Sequence, residues 1–117
     1  MASPSFEIML GRARHPLVLA LDVGSTASRG AIYDANGSPV RPRAKVPHAF
    51  TTRADGTSII DPDQIVREVT QLIDQLVDLT VGHPVAAVSL DTFASSLVGV
   101  DAQGAAVTPC FNYNDNR

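Results

Sequence analysis

The sequence predicts an α/β domain on a mixed sheet, with elements in the order βββ-α-β-β. Three patterns carry this prediction. Leu17-Val18-Leu19-Ala20-Leu21 is continuously apolar, as a strand buried on both faces must be. Asp34-Ala35-Asn36-Gly37 reads as a hairpin turn, because Asn-Gly accepts the positive φ that tight turns need. Asp61-Pro62 then opens a run in which the apolar spacing changes from that of a strand to that of a helix.

The elements follow in order. Residues 1–16 show no periodicity and read as a loose leader. The first strand starts at Leu17 and ends at Asp22-Val23-Gly24; Gly24-Ser25-Thr26 is a tight turn, and 29–33 a second strand. Residues 40–50 alternate as a third strand, with Arg41, Arg43 and Lys45 on one face and Pro42 and Pro47 marking an edge. That basic stripe reads as a solvated face, where charge discourages sheet-to-sheet pairing. The helix is expected over 62–81, with Asp61 as its cap and Gly82 closing it. Ile65, Val66, Val69, Leu72, Ile73, Leu76 and Val77 form its apolar face, while Arg67, Glu68, Gln71, Asp74, Gln75 and Asp78 face water. Residues 85–90 read as another buried strand and 97–100 as the last, before a turn at Asp101-Ala102-Gln103-Gly104.

Composition narrows the function. The 117 residues suit one small domain, and 44% hydrophobic with 18% charged residues argues against disorder. A net charge of -3 argues against a dedicated nucleic-acid binder. The single cysteine, Cys110, can form neither an internal disulfide nor a cysteine-rich zinc site, so a cytoplasmic setting is expected and Cys110 reads as a buried, inert thiol. No segment reaches the roughly 18 apolar residues of a membrane span, so no membrane partner is expected. His15, His48 and His83 share no metal-ligand spacing and read as structural or solvated.

The chemistry concentrates in Asp22-Val23-Gly24-Ser25-Thr26-Ala27-Ser28-Arg29, where an interior strand meets a turn. A carboxylate at a strand end can hold magnesium or its waters. Glycine admits a phosphate close to the backbone, hydroxyls and turn N–H groups can cradle its oxygens, and an arginine offers a planar fork. Asp91 follows a strand as Asp22 does and could supply a second carboxylate.

Taken with the hairpin and the Asp61-Pro62 helix start, Leu19-Ala20-Leu21-Asp22-Val23-Gly24-Ser25-Thr26 and Arg29 resemble the first phosphate motif of the FGGY carbohydrate kinases. Leu97-Val98-Gly99-Val100-Asp101, Gly104, Pro109 and Asp115-x-Arg117 resemble that family's second signature, and Thr92-Phe93 leans toward its gluconokinase-like branch, with xylulokinase next. The resemblance covers 17–117 and implies a ribonuclease-H-like, actin/hexokinase/Hsp70-type fold. It implies ATP and Mg as cofactors, with Asp22 near magnesium through water and Gly24, Ser25, Thr26 and Arg29 facing the nucleotide phosphates. Ser95, Tyr113, Asp115 and Arg117 fall on the sugar or sugar-acid side. The chain departs from the family there: Ala94-Ser95 replaces a larger or polar pair, and Tyr113 replaces the usual tryptophan.

The family's catalytic base lies further along the chain than Arg117, and none of Asp55, Asp61, Asp91 or Asp101 occupies its position. The resemblance therefore implies an N-terminal portion that is inactive alone, and a homodimer is compatible with it. Two other classes remain open on the residues: a ribonuclease-H-like nuclease of the Holliday-junction-resolvase type, and a non-catalytic nucleotide-binding interaction domain.

Overall fold

A computed structural model describes residues 6–117. Its main sheet contains β1 (Ile8–Met9), β2 (Leu17–Val23), β3 (Ala27–Tyr33), β4 (Pro39–Pro47) and a strand after the helix, which is β7 (Val85–Thr92). The order is β1-β4-β3-β2-β7. β2, β3 and β4 form the antiparallel meander, while β7 lies parallel to β2 and β1 parallel to β4. A smaller sheet joins β5 (Thr51–Thr52), β6 (Ser58–Ile60) and β8 (Cys110–Phe111). The single α-helix among the described residues, α1 (Pro62–Leu79), starts where Asp63 N–H donates to Asp61 Oδ1 at 2.9 Å.

The core lies between α1 and one face of the sheet. Leu17, Leu19 and Leu21 of β2 meet Ile32, Val40 and Ala44 beneath Leu72 and Leu76. The approach is close: a Cβ at Gly30 would stand 2.7 Å from Leu76 Cδ1, so the side-chain-free position in β3 lets the helix settle. The even positions of β2 face the uncovered side, where Asp22 is exposed, so this strand is buried chiefly on one face and not on two.

Several elements differ from expectation. β7 is exposed along its whole length and is not a buried strand. α1 packs over β3, β4 and β2, leaving an open groove between Val66 and Leu90, and β7 ends the sheet with β2 as its neighbour. Residues 97–100 do not extend into a strand. Leu97 bridges Phe111 and Val100 bridges Ala106, and Gly99 donates to Thr108 Oγ1 at 2.7 Å, so backbone groups are satisfied inside a local loop. Within the segment expected as a leader, Ile8–Met9 pairs with β4, and Glu7 binds both Arg41 and Arg43; residues 1–5 lie outside the described residues.

The expected helix face holds at Ile65, Val69, Leu72, Ile73 and Leu76 but differs at its margins. Glu68 is buried at 6% exposure, whereas Val66 is 63% exposed and Val77 is 48% exposed. Positions 68, 72 and 76 recur at i, i+4, i+8, so Glu68 shares the stripe of Leu72 and Leu76. Replacing Leu72 by Ala should cost about 2–5 kcal/mol, and Val66→Ala less than about 0.5 kcal/mol, read as shifts in urea midpoint at constant slope.

Candidate phosphate and sugar site

The β2–β3 turn is the centre of the site. Gly24 N–H donates to Ala27 O at 2.9 Å, closing the turn and leaving Ser25 and Thr26 exposed at its tip. Asp22 and Arg29 are cross-strand partners, with Oδ2 and Nη1 4.0 Å apart and both side chains about half exposed. A Cβ at Gly24 would lie 3.2 Å from Ala27 O and 3.3 Å from Arg29 Nη1, so glycine keeps the space between turn and guanidinium clear. That clearance suits a phosphate, and an exposed carboxylate at the strand end suits a hydrated magnesium ion.

A concavity of about 360 Å³ brings Asp22, Gly24 and Ser25 together with Ala94, Ser95 and Tyr113. It lies beyond the carboxyl ends of the parallel strands β2 and β7, where open α/β sheets hold their ligands. Asp91 is the register partner of Asp22 across this pair. Ser95 adopts φ 54°, a left-handed conformation uncommon for a residue with a side chain. Arg29 instead lies on the uncovered sheet face, where a second concavity of about 520 Å³ joins it to Asp22, Arg43, Lys45 and Asp91. Asp22 borders both.

Asp115 and Arg117 are not brought to the concavity. Arg117 Nη2 donates to Asp115 Oδ2 at 2.9 Å, and Ser58 N–H donates to the same oxygen at 3.0 Å. The Arg117 bonds first, then that of Ser58, hold the Asp115 carboxyl below the usual carboxylate range. Other acidic groups also have structural work. Asp55 accepts from Thr57, Asp61 caps α1, and Asp101 accepts from Gln103 and Ala105 N–H groups. Cys110 is buried, and burial pushes its thiol up, as expected of an inert cysteine.

Sequence reasoning missed the group behind the turn. The His48 side chain is fully buried, with Nδ1 2.7 Å from Glu68 Oε2 and Nε2 2.7 Å from Gly24 O. Ser28 Oγ donates to Glu68 Oε2 at 3.1 Å and Gln64 Nε2 to Oε1 at 2.9 Å. Burial pushes the Glu68 carboxyl up, but the bonds from Gln64, His48 and Ser28 outweigh it and leave it below its ordinary 4.5. The one available signal was the spacing of Glu68 to Leu72.

Residues 17–117 match the model of the FGGY family of carbohydrate kinases, N-terminal domain. The chain belongs to that family. It is 26% identical over 103 residues to the gluconokinase of Bacillus subtilis (strain 168), covering 86% of this chain and 19% of that protein. The gluconate kinase of Lactobacillus acidophilus superposes with a TM-score of 0.77 at 26% identity, over 86% of this chain and 20% of that one. The xylulose kinase of Brucella ovis, at 21% identity and a TM-score of 0.79 over 87% of this chain and 22% of that one, shares the fold. The fold is thus of the actin/hexokinase type, in part, and the chain spans about a fifth of the length of these relatives. These matches are to carbohydrate kinases, so the nuclease alternative is not favoured. Among the described residues no helix is long and apolar enough to cross a membrane.

Because Glu68 has a lower pKa folded than unfolded, its ionised form stabilises the fold above pH 4.5, and that contribution is lost as pH falls through the folded value. Glu68→Gln should therefore cost about 1–3 kcal/mol near neutral pH. Urea titrations stepped from pH 7 to 3 should show the gap to wild type closing on the acid side.

Proposed function

We propose that the protein carrying this chain transfers the γ-phosphoryl group of ATP to a hydroxyl of a sugar or sugar acid, of the gluconate or xylulose class. The observation that carries the reading is the shared concavity, in which Asp22, Gly24 and Ser25 of the turn face Ser95 and Tyr113. A phosphate donor and a hydroxyl acceptor must meet within bonding range, and one crevice bordered by both sets of groups answers that need. The names of the gluconate- and xylulose-kinase relatives support the substrate class.

In this reading Gly24 lets a phosphate approach the backbone, Ser25 and Thr26 hold its oxygens through N–H and hydroxyl groups, and Arg29 adds charge from the adjacent strand. Asp22 holds magnesium through water. Magnesium, when bound, neutralises charge on the phosphate oxygens. Ser95 and Tyr113 orient the acceptor by hydrogen bonding. Asp115 and Arg117 are assigned to the sugar side by family resemblance alone, since their side chains bind each other and Ser58. No base is assigned within these residues, so the 117 residues alone are expected to give no sugar-dependent turnover.

Steady-state kinetics of the full-length protein with gluconate and xylulose test the reading. Asp22→Asn should lower kcat/KM by roughly a hundredfold or more. Tyr113→Ala should raise the KM of the acceptor and leave that of ATP near wild type. An enzyme that phosphorylates neither acceptor class, or an Asp22→Asn variant with full activity, would contradict it.

A further inference from the structure

We infer that His48 is a positioning residue for the phosphate turn, gripping Gly24–Thr26 from behind so that the turn presents Ser25 N–H outward; the inference rests on the phosphate-side reading above. One residue reaches two carbonyls of the same turn. His48 Nε2 lies 2.7 Å from Gly24 O, and His48 N–H donates to Thr26 O at 3.0 Å. Across a trans peptide the C=O and the N–H point in opposite directions. The Gly24–Ser25 unit, with its carbonyl drawn to His48, therefore directs Ser25 N–H away from the interior, on the side where Ser25 lines the concavity.

The histidine is itself held. Both ring nitrogens face acceptors, since a backbone carbonyl can only accept and the Glu68 carboxylate already receives Ser28 Oγ and Gln64 Nε2. The ring thus meets an acceptor at each nitrogen, directly behind the turn. Phe50 fixes the ring further, edge-on at 6.2 Å between centroids. Glu68 belongs to the Leu72–Leu76 stripe of α1, so the turn is tied through one imidazole to the helix that caps the core.

Two polar substitutions separate this role from a purely structural one. In His48→Gln the amide reaches as far as Nε2 and keeps a donor for Gly24 O. In His48→Asn the amide matches Nδ1, keeps Glu68 and falls short of Gly24. MgADP binding to the full-length protein, by calorimetry, should weaken about tenfold in His48→Asn and stay within about threefold in His48→Gln, with the acceptor KM unchanged in both. Amide exchange over 24–26 should quicken in His48→Asn alone. Wild-type protein without MgADP affinity would overturn the phosphate-side reading. Wild-type binding with equal affinity in both variants would overturn the role of His48 and leave that reading standing.

Discussion

A buried carboxylate organises this domain. Glu68 stands on the helix stripe that covers the sheet, where an unpaired charge would cost several kcal/mol. Three donors meet it: Ser28 from β3, His48 from the segment after β4, and Gln64 one turn earlier on α1. The helix can therefore settle on the meander only when Ser28 and His48 are in place, and His48 in place means a restrained β2–β3 turn. Packing, polar satisfaction and the shape of the turn are one constraint.

The hydrophobic layer supplies the rigid platform. Leu17, Leu19 and Leu21 alternate inward against Leu72 and Leu76, so the even positions of β2 are turned to the other face and Asp22 emerges at the strand's end beside Asp91. Core alternation thus delivers the acidic group to the crevice without any loop having to place it. The anchoring contacts fall on the carbonyls of Gly24 and Thr26, which leaves the side chains of Ser25 and Thr26 exposed at the tip. Asp115 and Arg117, by contrast, are spent on each other and on β6.

The meander, the Asn-Gly hairpin and the capped helix were legible in the sequence because each rests on local chemistry: apolar runs, positive-φ turn residues and an Asp-Pro start. The turn at Gly24-Ser25-Thr26 was legible because a glycine and short hydroxyl residues interrupt the apolar run there. What was not legible depends on tertiary placement. The apolar run of β7 reads as buried, yet the sheet ends there and α1 does not cover it. The 97–100 segment has strand composition but satisfies its backbone inside its own loop. Glu68 looks like a solvent-face residue until its partners, 20 and 40 residues away in sequence, are known.

On the proposed function, nucleotide phosphate sits on the Gly24–Thr26 turn. A crystal structure of the full-length protein with MgADP tests it most directly. A phosphate oxygen is expected within about 3.2 Å of Ser25 N–H, with Asp22 facing the magnesium ion through water. Phosphates lying instead over Arg43 and Lys45 on the uncovered sheet face, away from the turn, would contradict it.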